Sequence, residues 1–391
     1  MVAEVLAGLT VETVGWGHVD AVRLRADQQQ EIDLRYAQPG RPSTTDADGA
    51  PVPDARDQVD PSNVFATLLL RVDGEPAGHA ALRDLSGRDD YQGGLHPDGT
   101  AEVKRVYVAP RFRGRGLSRT LMTVAEDAAR AAGVRHLILE SGLMQPESLG
   151  LYLRLGYDPV ESFGVFSDEP GSRCFGKWLV PDAAPAGTAP LVEASLVEPV
   201  ESPQAPASAP VLREVPWDDP DAAALRRAMW AYLEPLYPQL ARVVEARGGH
   251  DVVDVDRGRT ALVTVLATLD GRPVGCATLA ASPVGPEHLT ADPLRGVGGI
   301  AAVAEAGESR GFELQSVFVD PSVRRAGVAS ALVGHLEEVA RRRGGLAAYL
   351  NTGIRQPTAL RLYGKLGYRP VLPYPPYDSD DAQLLFLGKP L

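Results

Sequence analysis

Two short segments hold the residues best suited to bind a charged ligand: Arg113-Gly114-Arg115-Gly116-Leu117-Ser118 and Arg324-Arg325-Ala326-Gly327-Val328-Ala329. Each has a basic first residue, glycine fourth and a small sixth residue, and each falls between a strand-like run and an amphipathic helical pattern. A helix N-terminus exposes unpaired N–H groups and a partial positive charge, so it holds a diphosphate wherever no side chain blocks the approach. Gly116 and Gly327 supply that clearance. A single junction of this kind is a weak signal, because many α/β proteins have one. Two in matching surroundings are a much stronger one.

The surroundings match because the chain repeats itself. EVKRVYVAP, from Glu102, and ELQSVFVDP, from Glu313, lie 211 positions apart, and the same offset pairs Gln145 with Gln356, Pro146 with Pro357, Tyr152 with Tyr363 and Tyr157 with Tyr368. So long a period means duplicated domains and not a solenoid. Within each half the elements recur in order. FATLLLRV and AGHAALRDL about a DGEP turn, and ALVTVLATL and VGCATLAA about DGRP, predict hairpins. The strands EVKRVYV and ELQSVFV follow, then helices with Leu117, Leu121, Val124, Ala125 and Ala128, or Val328, Leu332, Val333, Leu336 and Val339, on one face. A further strand, HLILES or AAYLNT, leads to a helix opened by Pro146 or Pro357, and strands around CFGKWL and LLFLGK close each half. Tyr157 and Tyr368 follow helix-ending glycines and read as packing residues. Helical regions are expected over Val19 to Tyr36 and Ala222 to Glu245, while Arg41 to Asp60 and Ser282 to Ser309 are too long for ordinary connections and read as disorder or lids. Residues 181–210, rich in Ala, Pro, Ser and acids, form a linker, leaving domains at 1–180 and 211–391.

Composition narrows the function. A chain of 391 residues, 44% hydrophobic and 23% charged, is an ordinary globular protein with room for two cores. No apolar run approaches the ~20 residues of a membrane span, and Met1 to Thr10 lacks the features of a secretory signal, so a cytoplasmic protein is expected. Cys174 and Cys276, in different halves, read as buried reduced thiols, and no metal is expected. A formal charge of -12 opposes nucleic acids and anionic membranes as partners and suits cationic or neutral small substrates. Trp217, Trp230, Tyr232 and Tyr237 line the second pocket or an interdomain seam, with core packing the safer reading.

The two loops, together with the segments LYLRLGY and LYGKLGY, resemble the GNAT superfamily of acetyl-CoA-dependent N-acetyltransferases, over nearly all of both halves. That resemblance implies an α/β (α+β) architecture of two GNAT folds, each a mixed, mostly antiparallel central sheet flanked by helices. It implies that acetyl-CoA is the cosubstrate, its diphosphate on residues 113–118 and 324–329 and its pantetheine arm along the backbone of Val106, Tyr107 and Val108, and of Val317, Phe318 and Val319. Ser118 departs from the Gly or Ala of the sixth place, although its hydroxyl suits a phosphate. Members of the superfamily often use a glutamate where Glu102 and Glu313 stand to take the amine proton, and a tyrosine where Tyr152 and Tyr363 stand to protonate the thiolate. The plainer alternatives are strand-edge carboxylates and rings packed beneath the cofactor. Lys104 and Arg105 against Gln315 and Ser316 predict that the two substrate pockets differ.

The leading expectation is transfer of an acetyl group to the primary amine of a small molecule, with at least one half active. Acetylation of protein lysines or N-termini is the alternative within the same chemistry. An acyl-CoA-binding regulatory or scaffold protein, with one or both halves inactive, is the alternative from another class. The two halves are expected to pack together, with a homo-oligomer left open.

Overall fold

The computed structural model describes residues 8–36, 59–167, 169–180, 209–290, 310–377 and 383–391. The expected linker and most of both long connections lie outside the described residues. The described residues form two compact units that build one sheet plan twice.

The first unit has strands β1 (Leu9–Val14), β2 (Val64–Val72), β3 (Glu75–Asp84), β4 (Thr100–Val108), β5 (His136–Gly142), β6 (Asp158–Val160) and β7 (Ser172–Trp178), with helices α1 (Val19–Tyr36), α2 (Leu117–Ala131) and α3 (Pro146–Arg154). Its strand order is β1-β2-β3-β4-β5-β7-β6, antiparallel throughout except where β4 meets β5. The second unit has β8 (Val211–Val215), α4 (Pro220–Leu233), α5 (Pro238–Ala246), α6 (His250–Thr260), β9 (Ala261–Leu269), β10 (Arg272–Ala281), β11 (Gly311–Val319), α7 (Val328–Arg342), β12 (Ala347–Gly353), α8 (Pro357–Lys365), β13 (Arg369–Pro370) and β14 (Leu384–Pro390). It repeats the order as β8-β9-β10-β11-β12-β14-β13, again with one parallel pair, β11 and β12. Two mixed, mostly antiparallel sheets flanked by helices are the expected architecture.

Local chemistry explains the elements. Both hairpins turn on Asp-Gly pairs in the left-handed region, Asp73 and Gly74 at φ 50° and 82°, and Asp270 and Gly271 at 50° and 78°. That is the twist a two-residue hairpin needs. The apolar stripe of α2, including Leu117, Leu121 and Ala125, is buried, as is that of α7 through Val328, Leu332 and Leu336. Cys174 and Cys276 are buried free thiols.

The expected helix from Ala222 to Glu245 is instead α4 and α5, with α6 beyond. Pro238 removes an N–H donor and excludes helical geometry from the residue before it, and Tyr237 sits at φ -132°, ψ 78°.

Candidate active site

Strands β4 and β5 pair only from Thr100 to Glu102 against His136 to Ile138, and beyond that they part. The cause lies in β4. His79 of β3 opposes Tyr107 while Ala81 opposes Lys104, so Arg105 and Val106 share one partner position and bulge. Arg105 takes φ 58°, a strain of about 1 kcal/mol for a residue with a side chain. His79 secures it: its Nδ1 donates to the Arg105 carbonyl at 3.0 Å and its Nε2 accepts from Arg25 at 3.1 Å. Burial lowers the His79 pKa to about 4, so the neutral ring does both. The second unit repeats the device, with Ser316 at φ 51° and the Cys276 thiol 3.8 Å from the Ser316 carbonyl. There β11 and β12 pair only from Gly311 to Glu313.

In the first unit a cavity of about 290 Å³ opens where β4 and β5 diverge. Its walls are Val106, Tyr107 and Val108, the loop residues Arg113, Gly114 and Gly116, the start of α2 at Leu117 and Ser118, the start of α3, and the Gln28, Glu31, Ile32 and Arg35 face of α1. Most of the first-half residues expected around a cofactor therefore meet at one cavity, and Arg115 is exposed beside it. Gly116 caps α2 at φ 76° and Gly114 lies at φ 78°. A Cβ on either glycine meets no atom within 4 Å, so both border open space that only glycine leaves clear. Bare amides, a helix N-terminus and a leading arginine fit a diphosphate.

A carboxylate already faces that arginine. Arg113 pairs with Glu31 at 2.6 Å and donates through Nε to the Val108 carbonyl at 2.8 Å. Buried Arg35 joins Glu31 and Glu147, each at 2.6 Å, tying α1 to α3. Burial works against charge on Glu31, but its bonds to Arg113 and Arg35 outweigh this and hold its pKa below the usual range.

In the second unit, 201 positions on, Met229, Tyr232 and Leu236 stand where Gln28, Glu31 and Arg35 stand in the first. Arg324 donates to the Tyr232 hydroxyl at 3.2 Å, its guanidinium 4.6 Å above the ring. Gly327 caps α7 at φ 79°, and Arg325 adopts φ 68° at the place of Gly114. Val317, Val319, Ala326 and Ala329 are partly exposed around this loop, while Phe318 and Val328 are buried.

Around the glutamates of β4 and β11 the two halves diverge sharply. Glu102, 1% exposed, is bonded by the Arg83 guanidinium at 2.6 Å and approached by Lys104 at 3.3 Å. Glu313, 2% exposed, is held by neutral donors: Gln315 at 2.7 Å, the Tyr374 hydroxyl at 3.1 Å and Asn351 at 3.3 Å, with Tyr377 also bonded to it. Burial raises the Glu313 pKa above the carboxylate range, against the lowering effect of those donors and of Arg257. Lys104 against Gln315 thus marks a real difference between the halves.

Tyr152 and Tyr363 are buried, their rings edge-on to Tyr157 at 6.0 Å and Tyr368 at 5.8 Å. Burial raises both phenol pKa values, which keeps their protons on. Ser148 and Leu151 of α3 line the cavity beside Tyr152. Trp230 packs in the second unit's own core, and Trp217 lies beneath Arg226 at 3.7 Å. That stack is itself repeated, Arg25 over Trp16 at 3.7 Å. The signal was present as Trp and Arg nine positions apart in both halves, but at an offset ten positions short of 211.

The family model of the acetyltransferase (GNAT) family matches residues 30–157 and 222–368. An IAA acetyltransferase of Azospirillum brasilense is 40% identical over 81 residues, which is 21% of this chain and 53% of that protein. An aminoglycoside N(6')-acetyltransferase type 1 of Stenotrophomonas maltophilia is 27% identical over 99 residues, 25% of this chain and 63% of that one. The chain thus spans about half to under two thirds of the length of these curated relatives. Among solved structures, the PaiA N-acetyltransferase of Thermoplasma acidophilum in complex with coenzyme A is 13% identical with a TM-score of 0.30, covering 47% of this chain and 100% of its own. No described helix is long and apolar enough to cross a membrane, and no described group of His, Cys, Asp and Glu is placed to hold a metal.

Proposed function

The chain belongs to the GNAT acetyltransferase family and carries that family's domain twice, and from this premise we propose that it is an acyltransferase moving the acetyl group of acetyl-CoA to the primary amine of a small molecule. The domains are taken as residues 1–180 and 211–391. The observation that carries the reading is the cavity between β4 and α3, where open space at Gly114 and Gly116 meets the backbone of Val106 to Val108. A diphosphate suits the loop from Arg113 to Ser118, and an extended amide arm suits the strand edge that β5 leaves unpaired. In the second half the corresponding residues are Arg324 to Ala329 and Val317 to Val319.

Acetyl-CoA supplies an activated carbonyl and a thiolate leaving group. Glu313 accepts the amine proton as the new C–N bond forms, its raised pKa making it a stronger base than an exposed carboxylate. Tyr363, protonated by burial, gives its proton to the departing sulfur. In the first half Tyr152 and Glu102 hold the same places, but the Glu102 carboxylate is already engaged by the cations Arg83 and Lys104, where Glu313 has neutral donors. That observation favours a second reading for the first half alone: it binds acyl-CoA and transfers little.

Thiol release from acetyl-CoA by the full chain, measured over a panel of primary amines and of lysine-bearing peptides, tests the proposal. Amine-dependent release with small amines preferred is the expected result. Preference for peptides moves the substrate to proteins, and no release with any acceptor ends the enzymatic reading.

A further inference from the structure

The Gln28 side chain projects from α1 to the first unit's cavity, where its Nε2 donates to the Val106 carbonyl at 3.1 Å. Gln28 is 8% exposed, and its Oε1 is buried with no hydrogen-bond partner among the described residues. An orphaned buried acceptor is costly, and natural proteins keep one where a ligand or water completes it. The bond to Val106 fixes which end of the amide is which, so the unpaired atom is the oxygen. Val106 is the second residue of the bulge, at the point where β4 loses its neighbour and its outer edge turns to the cavity.

We infer that Gln28 is a ligand-reading residue of the first half: it takes over the Val106 rung of the strand edge and offers its own Oε1 to an amide N–H of an extended ligand arm. This rests on the cavity being the acyl-CoA cleft, and it assigns a contact to α1 that the strand and the glycine loop do not supply. The ligand chemistry is a secondary amide, such as those of the pantetheine arm. It is also specific to one half. At the matching position the second half has Met229, which has neither donor nor acceptor for this purpose, so the two clefts read the arm differently.

The test is calorimetric binding to the full chain carrying Gly327→Val, which leaves the first cleft as the one measured, with and without Gln28→Met. The probes are CoA and adenosine 3′-phosphate 5′-diphosphate, which keeps the nucleotide end with its diphosphate and lacks every amide. Loss of one neutral hydrogen bond is worth about fivefold in affinity. The expected result is a loss of about that size for CoA with the nucleotide unchanged. Equal weakening of both probes makes Gln28 structural and overturns the inference, as does unchanged or tighter CoA binding. If the parent protein binds the nucleotide but not CoA, the arm lies elsewhere and the inference falls while the diphosphate site stands; binding of neither probe refutes the acyl-CoA cleft itself.

Discussion

Replacing Glu313 by Gln separates the chemistry of the second half from its fold. The carboxyl is 2% exposed and bonded by Gln315, Asn351, Tyr374 and Tyr377. A Gln keeps one oxygen for Tyr374 and Asn351, and its new N–H₂ meets Gln315, whose own Oε1 has no partner among the described residues and accepts once that amide turns over. The structural cost is therefore about 1 kcal/mol, one hydrogen bond imperfectly replaced. The kinetic cost is the full contribution of a general base, on the order of 10²-fold or more in kcat. Two pH dependences follow from the raised pKa of Glu313. The wild-type rate climbs as pH rises through that pKa, so its acid limb lies above the ordinary glutamate range of about 4.3. Because the folded state holds this proton more tightly than the unfolded one, the carboxyl's contribution to stability is complete below about pH 4.3 and is lost as pH rises through the folded value, at about 1.4 kcal/mol for each pH unit separating the two. Glu313→Gln lacks that loss, so its melting temperature falls less than that of wild type between pH 5 and about 8. Initial rates of thiol release and thermal melts over this range read both effects. A variant keeping a third of wild-type kcat, or Glu102→Gln losing as much as Glu313→Gln, refutes the assignment.

Glu31→Gln removes the carboxylate that competes with a loop-bound phosphate for the Arg113 guanidinium, a competition worth about 1 kcal/mol at this partly exposed pair, so CoA binding to the first half tightens roughly fivefold by calorimetry. The gain shrinks in high salt, and no change shows that Glu31 stays clear of the ligand. Arg226→Met breaks the pair with Asp254 and the bond to the Trp217 carbonyl, lowering stability in urea by about 3 kcal/mol; a loss under 1 kcal/mol means the stack is ornamental. Arg325→Gly relieves the left-handed backbone at φ 68° and raises stability of the second half by about 0.5 kcal/mol, whereas a loss shows that the side chain compensates its strain.

Much of this was legible from residues alone because duplication tests itself. Asp73-Gly74 and Asp270-Gly271 declared both hairpins, and the strand, glycine loop and helix recurred at one offset. The bulges were not legible, since Arg105 and Ser316 are poor choices for a positive φ and nothing in their neighbours flags them. Nor were the partners of Glu102 and Glu313, which come from strands and loops far along the chain: Arg83 in one case, Tyr374 and Tyr377 in the other. The polar face of Gln28, Glu31 and Arg35 was hidden because its counterpart lies at an offset of 201, the spacing having changed between the first helices and β4.

On the proposed function, the glycine turns hold the diphosphate of acetyl-CoA. Titration of acetyl-CoA into the full chain by calorimetry, beside Gly116→Val, decides this, because a side chain at φ 76° fills the open space over the α2 amides. Saturable binding by the parent chain, with the first-half site lost in the variant and its stability lowered only by the left-handed strain of about 1–3 kcal/mol, is the expected result. An isotherm that the substitution leaves unchanged contradicts the account.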